Sequence, residues 1–291
     1  MIRTEHAKTF DMKSDSIHNH EGEQPPSTHS TFLSRKPLFS KTQVNKQGSQ
    51  WRDGEKFNSD VLDEFLAYNA ELIEELIRII QNAIGCLIRP MEESVDSSIE
   101  PDSDAYVLTA RVKTKDTLLV KLRRMKTTPV LNIHDVAGIR FDCDMSLSEQ
   151  LELAEYFAMN IREAGATRVD VKDFRLEPHS GYRAVHLHIR SAAGRAELQI
   201  RTALQSKWAN LYEEAGDVLG RDIRYLHEGA EIPSGADKMV RELHDLSTLV
   251  RRVEELSDVK GKTTQELKEL RQSAYDIMNH IHSAIKQIRT K

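Results

Sequence analysis

Cysteine is scarce in this chain: only Cys86 and Cys143 occur in 291 residues, and they lack CxxC spacing. Set among apolar neighbours, both read as small core residues of a protein in a reducing compartment. Long apolar runs are missing as well. No stretch approaches the roughly 18 residues of a membrane-spanning helix, and the first residues lack the apolar core of a signal peptide. The expectation is a cytoplasmic protein with no membrane partner. There is no excess of positive charge either, since 41 Lys and Arg against 46 Asp and Glu leave a net charge of -5 and a pI near 6.2. That removes any global attraction to nucleic acid, although acidic helices can mask a local basic patch. What is present, 39% hydrophobic and 30% charged residues, suffices for one substantial core with appendages or for two small ones.

The chain changes character three times. Residues 1–55 carry Gln24-Pro25-Pro26-Ser27-Thr28, the scattered histidines His6, His18, His20 and His29, and no apolar period. This is the pattern of a disordered leader, and the irregular histidine spacing argues against a metal site. Asn58-Ser59-Asp60 then opens a long amphipathic helix with Leu62, Phe65, Leu66, Leu72, Ile73, Leu76, Ile80 and Ile84 at three- and four-residue steps. From about 105 the period turns towards two. Strands are expected at Tyr106 to Lys113, Gly138 to Cys143, Thr167 to Phe174, Ala184 to Arg190 and Arg195 to Arg201, with helices at Thr114 to Met125 and about Ser148 to Ala164. Ser191-Ala192-Ala193-Gly194 suits a hairpin turn between the last two strands. The fold class is therefore α+β, a mixed β-sheet flanked by helices. Beyond residue 230 lie two seams, one of Met239, Leu243, Leu246, Val250 and Val253, the other of Leu267, Leu270, Ala274, Ile277, Ile281 and Ile288. With Gly261 as a stop and Thr263-Thr264-Gln265-Glu266 as a capping box, they form a C-terminal helical hairpin, packed either within the chain or between subunits.

Chemistry concentrates in four stretches of the sheet. In Glu197-Leu198-Gln199-Ile200-Arg201-Thr202 the side chains of Glu197, Gln199 and Arg201 share one strand face with Arg195. A face of that kind is either a half-solvated edge or turned towards something charged. Arg111 and Lys113 share a face too, and Lys121 on the next helix can fold back over the strand end. Three cations at a strand-to-helix junction suit a polyphosphate clamp, but with Lys115, Arg123, Arg124 and Lys126 nearby they also suit a solvated basic helix. Asp135 at a strand entrance, taken with Glu197, is the arrangement that holds Mg²⁺ against phosphates; Asp142 and Asp144 are rival ligands or solvent-facing strand positions. Finally, Gly181 lets the backbone turn into a strand with Tyr182 at its mouth, where a ring can stack on a base, and His186 and His188 follow on one shared face.

These stretches together resemble the synthetase domain of the RelA/SpoT homologues. The resemblance lies in Arg111-Val112-Lys113 with Thr117-Leu118 and Lys121-Leu122, Asp135-Val136-Ala137-Gly138-Ile139-Arg140, Gly181-Tyr182-Arg183-Ala184-Val185-His186, Glu197 to Thr202, and Trp208-Ala209. It covers roughly residues 60–225. It implies a nucleotidyltransferase-like fold that moves the β,γ-pyrophosphate of ATP to a ribose 3′-hydroxyl of GDP or GTP, a small single-domain alarmone synthetase of the stringent response. Carried over, Arg111, Lys113 and Lys121 hold ATP, and Asp135 and Glu197 are the catalytic, Mg²⁺-binding carboxylates. Tyr182, His186, Gln199 and Arg201 line the acceptor side, with Arg140 a further phosphate or structural contact.

Departures from the family pattern fall on the acceptor side. Glu177-Pro178-His179-Ser180 replaces the usual Pro-Lys element and asparagine, and Glu213-Glu214 stands where Glu-His is common. A toxin-type relative that pyrophosphorylates the 3′ end of tRNA is thus the competing expectation, with Lys121, Arg123, Arg124 and Lys126 as a basic run for RNA. His244-Asp245 is not followed by the acidic partner of the family's hydrolase, so a synthetase-only domain over 56–230 is expected. The hairpin over 231–291 is a candidate oligomerisation element, through which the family suggests a homo-oligomer.

Overall fold

A computed structural model describes residues 31–87, 91–93, 105–176, 180–220, 223, 237–260 and 264–290. The expected long helix is α3 (Ser59–Gly85), after the four-residue α1 (Thr31–Ser34) and α2 (Lys41–Arg52). The Asn58 side chain accepts a hydrogen bond from the Asp60 amide at 2.9 Å and so starts α3. Leu62, Phe65, Leu72, Ile73, Leu76, Ile80 and Ile84 are all buried along one stripe.

Six strands form one mixed sheet: β1 (Glu92–Glu93), β2 (Ala105–Val112), β3 (Ala137–Cys143), β4 (Arg168–Asp173), β5 (Val185–Arg190) and β6 (Arg195–Thr202). Their spatial order is β1-β2-β3-β6-β5-β4. Between β3 and β6 the pairing is parallel, and β2–β3, β6–β5 and β5–β4 are antiparallel. The helices between and after them are α4 (Lys115–Met125), α5 (Leu147–Glu163) and α6 (Ala203–Leu219). The α+β class and the helix-flanked mixed sheet are as expected. Among the described strands the two-residue β1, too short to show a period, has no counterpart in the sequence reading, and among the helices α1, α2 and α6 have none.

Strand alternation divides the sheet into two unlike faces. Ile139, Phe141, Cys143, Val185, Leu187, Ile189, Leu198 and Ile200 are buried with Leu76, Ile80, Phe157 and Ile161 of α3 and α5. Each large apolar side chain in that layer is worth about 1.5–3 kcal/mol by burial. The opposite face carries Arg140 and Asp142 of β3, Glu197, Gln199 and Arg201 of β6, and His186 and His188 of β5. An apolar layer fixes the register, and the register aligns the polar residues: Gly138 pairs with Glu197, Arg140 with Gln199 and His188 with Glu197.

A second core lies behind the polar face. Trp208, Leu211, Tyr212 and Ala215 of α6 pack on α7 (Asp237–Lys260) and α8 (Gln265–Arg289), which form the expected hairpin. Its seam is used within the chain: Leu243, Leu246, Val250, Val253, Leu267, Ala274 and Ile281 are buried in this core. Val240 takes the buried place expected of Met239, and Ile288 is 40% exposed while Ile285 is buried. Thr264, one residue later than the expected cap, accepts from the Leu267 amide at 3.4 Å.

The expected disordered leader to residue 55 does not hold from residue 31 onwards. Leu33 is in the main core, and Val44 of α2 packs with Phe65, Leu118, Leu122 and Val130. The apolar residues here are too sparse to show a period, yet each fills a gap beside α3. Gly48 of α2 is required for this packing, since a β-carbon there would stand 2.9 Å from Val130 Cγ1. Cys86 likewise departs from expectation: it caps α3 and is exposed, whereas Cys143 is buried. The remainder of the leader, including its four histidines, and Gly261 lie outside the described residues. No helix among the described residues is long and apolar enough to cross a membrane.

Candidate active site

Between β2, β3 and β6 the polar face opens into a cavity of about 130 Å³. Arg111, Lys113, Asp135, Arg140, Glu197 and Gln199 line it. The register explains the grouping, because Arg111 pairs with Gly138, which pairs with Glu197, and glycine places no side chain between them. Arg111 is exposed at the rim. Asp135 belongs to a single 3₁₀ turn, His134–Val136, anchored where the Lys113 amide donates to Val136 O at 2.9 Å.

The two expected clamp lysines converge on that aspartate. Lys113 Nζ lies 2.9 Å from Asp135 Oδ2 and Lys121 Nζ 2.7 Å from Oδ1. Lys121 is therefore turned into the site instead of extending a surface run, and the neighbouring Arg123 donates to Arg52 O at 3.4 Å. Both oxygens of Asp135 face ammonium groups. Phosphates entering the cavity would compete for the lysines and release the carboxylate, which couples anion and cation binding.

Glu197 has a different environment. His186 Nδ1 is 3.1 Å and His188 Nε2 3.3 Å from its Oε1, and Gln199 Nε2 donates to Oε2 at 2.9 Å. Burial alone would raise its pKa, but the hydrogen bonds from His186, His188 and Gln199 outweigh burial and hold the carboxyl well below the usual range. Glu197 is ionised at neutral pH. His134 stacks on His188 with ring centroids 4.6 Å apart, and burial, reinforced by His188 and nearby arginines, lowers its pKa to about 4. Its Nε2 is buried without a hydrogen-bond partner.

Tyr182 is held inwards from the start of β5. Its hydroxyl is 2.9 Å from His186 Nε2 and 3.4 Å from Gln199 Oε1, and burial pushes its pKa well up. Gly181 before it has φ +83°, and a β-carbon there would stand 2.9 Å from the Trp208 ring and 3.1 Å from Ser247 Cβ. Backbone conformation and close approach both demand glycine. Residues 177–179, on which one departure from the family pattern falls, lie outside the described residues.

Arg201 does not belong to this group, despite sharing the strand face. It is 2% exposed, and its guanidinium grips both oxygens of Asp142 at 2.8 Å. Ser206 Oγ of α6 donates to the same carboxylate at 2.7 Å. The acceptor role expected of Arg201 is withdrawn, because α6 covers this end of the polar face and the pair is internal. Asp142 and Asp144 are for the same reason neither solvent-facing nor cavity-facing, Asp144 being buried against Arg271 at 3.0 Å. Arg140 lines the cavity while Glu213 accepts from it at 2.9 Å, and Glu214 is 3.1 Å from His282 of α8.

Of the expected residues, the structure thus brings together Arg111, Lys113, Lys121, Asp135, Glu197, Gln199, His186 and Tyr182. It adds His188 and His134. His188 was visible as the second member of His186-Leu187-His188 on the face that meets Glu197; His134 had no signal beyond its place next to Asp135. Asp135 and Glu197 supply carboxylate oxygens to one cavity, a donor set that fits Mg²⁺.

Residues 110–216 match the family model described as the region found in RelA / SpoT proteins. An uncharacterized protein of Mycobacterium tuberculosis is 37% identical over 205 residues, which are 70% of this chain and 68% of that protein. One from Mycobacterium bovis has the same identity and coverage. Among solved structures the chain is similar to the small alarmone synthetase 1 from Bacillus subtilis, with a TM-score of 0.50 and 25% identity over 70% of this chain and 97% of the other.

Proposed function

This chain belongs to the RelA/SpoT family, and on that premise we propose that it is a pyrophosphokinase that transfers the β,γ-pyrophosphate of ATP to the ribose 3′-hydroxyl of GDP or GTP. The observation that carries the reading is the convergence of Arg111, Lys113, Arg140, Asp135 and an ionised Glu197 on one cavity. Lys113 and Lys121, with Arg111 at the rim, neutralise the donor phosphates, and Arg140 adds positive charge beneath them. Tyr182, His186 and Gln199 flank the acceptor side of Glu197. The 3′-oxygen attacks the β-phosphorus, its bond to the α,β-bridging oxygen breaks, and AMP leaves with the electron pair. The hydroxyl proton passes to the Glu197 carboxylate, which its hydrogen bonds keep ready to accept it. Mg²⁺, held by Asp135 and Glu197, would supply charge neutralisation on the transferred group when bound. The chain's own contribution is to fix donor and acceptor in line and to place cations where charge develops.

The test is label transfer. The purified protein is incubated with γ-labelled ATP and Mg²⁺ and is offered GDP, GTP, ATP or deacylated tRNA separately. Label is expected on GDP or GTP. Label on tRNA alone, or on no acceptor, would overturn the reading. Glu197→Gln and Asp135→Asn are expected to abolish transfer with circular dichroism unchanged.

A further inference from the structure

A second cavity, of about 380 Å³, lies beyond the catalytic one of about 130 Å³. It opens between the start of α2, the first half of α3, the 131–133 segment and the tip of the β5–β6 hairpin. Ile133 lines this cavity and Asp135 the other, so a single turn at His134 separates them. Its volume falls in the range of about 300–1,000 Å³ usual for small-molecule sites.

The charge in its wall is of one sign. Lys41, Arg190 and Arg195 line it, and among the described residues no carboxylate does. Arg190 and Arg195 stand directly opposite each other in the β5–β6 register, a placement in which like charges repel. Neither is well compensated. Arg190 reaches Asp170 only at 4.0 Å, and that carboxylate is already engaged by Arg168 at 2.6 Å. Arg190 Nε is buried without a hydrogen-bond partner. Burial, with Arg190 beside it, lowers the pKa of Arg195. Lys41 opens α2, whose first turn contains no acidic residue, so the positive end of the helix adds to the same field. Holding these cations together costs stability that a bound anion would restore.

The remaining wall says what carries the anion. Phe39 and Tyr68 are half-buried, their rings edge to face with centroids 5.4 Å apart. Asn45 Oδ1 accepts from the Leu131 amide at 3.2 Å, which leaves its Nδ2 to donate. Two guanidinium forks and an ammonium match the several oxygens and double charge of a phosphate better than a carboxylate. Aromatic walls match a planar ring.

We propose that this cavity is a binding site for a small phosphate ester with a planar ring, of about the size of a nucleoside monophosphate. The phosphate sits between Arg190 and Arg195, and the ring lies against Phe39 and Tyr68. The site does not depend on the transfer reading, because none of these residues lines the catalytic cavity.

AMP is a suitable probe. The full-length protein is titrated with AMP by calorimetry in the absence of Mg²⁺, beside Arg190→Gln and Arg195→Gln, each checked by circular dichroism. Arg111→Ala is titrated in parallel, because it weakens nucleotide binding in the catalytic cavity and leaves this one intact. Wild type and Arg111→Ala are expected to share a binding event of equal affinity. Each arginine variant should bind at that site at least about 10-fold more weakly. Adenosine should not bind there, and inorganic phosphate should bind more weakly than AMP. In thermal melts AMP should raise the Tm of Arg111→Ala but not that of Arg111→Ala combined with Arg195→Gln. Equal AMP titrations of wild type and both folded arginine variants, or loss of all AMP binding in Arg111→Ala, would overturn the proposal. So would adenosine or inorganic phosphate binding as tightly as AMP.

Discussion

Replacing Glu254 by glutamine should make the protein more stable in mild alkali while leaving it unchanged in mild acid. Glu254 lies on α7, is 4% exposed, and hydrogen-bonds with Thr202 Oγ1 and, at 3.1 Å, with Gln205 Nε2. Burial raises its pKa from 4.5 to about 7, against the lowering effects of Thr202, Gln205, Arg183 and Arg175. The folded chain therefore keeps a proton that the unfolded chain has lost between those two values. Stability contributed by this group falls as pH rises from about 4.5 to about 7 and is level outside that window. At 1.36 kcal/mol per pH unit, the interval from 4.5 to about 7 amounts to about 3 kcal/mol. Thr202 and Gln205 both donate to the Glu254 carboxyl; glutamine has the shape of the neutral acid, keeps its carbonyl oxygen as an acceptor for Gln205 Nε2, places its amide beside the Thr202 hydroxyl, and does not titrate. Urea denaturation of wild type and Glu254→Gln, followed by circular dichroism near pH 4 and near pH 8, measures the effect, because all other titrating groups cancel in the difference. The two proteins should match at the acid end and separate by up to about 3 kcal/mol at the alkaline end. An equal gap at both pH values, or one that widens in acid, would refute the buried-acid assignment.

Three further outcomes follow from the packing. Asp142→Asn leaves the Arg201 guanidinium buried without its counter-charge and should cost about 3–5 kcal/mol in denaturant unfolding. Gly181→Ala forces a β-carbon into the Trp208 ring at positive φ; it should destabilise by about 1–3 kcal/mol and weaken acceptor binding more than ATP binding in nucleotide titrations. Leu246→Ala opens the interface of α7 with α6 and should cost about 2–5 kcal/mol in thermal unfolding, with the oligomeric state by light scattering unchanged, since this seam is consumed within the chain.

Sequence periodicity carried most of the architecture because the segments concerned are amphipathic over their whole length. The α3 stripe, the Asn58 cap and the alternation in β6 are each properties of neighbours along the chain. Partners across the fold are not. Arg201 and Glu197 have the same parity on the same strand, and nothing local says that α6 covers one and leaves the other on a cavity. Asp142 and Asp144 were open to two readings for the same reason: their partners, Arg201 and Arg271, are 59 and 127 residues away. The helices over residues 31–52 escaped notice because Leu33, Val44 and Trp51 are isolated apolar residues whose cavities are built by α3 and α4. At the site, Arg111, Lys113 and Lys121 were legible as a cation cluster and Asp135 with Glu197 as a carboxylate pair; that both lysines close on Asp135, and that two imidazoles meet Glu197, became visible only with the fold.

The turn at Gly181 has a consequence for how this protein can be recombined. Ser247 Oγ of α7 donates to Gly181 O at 2.6 Å, and Trp208 Nε1 donates to Leu243 O at 2.8 Å. The C-terminal hairpin is thereby bolted to the segment that delivers Tyr182. It is not an interchangeable module. A chimera that borrowed residues 237–290 from a relative would have to import the matching Ser180–Tyr182 turn and the Trp208 helix with them, or lose the alignment of the acceptor wall while every donor-side residue stayed intact.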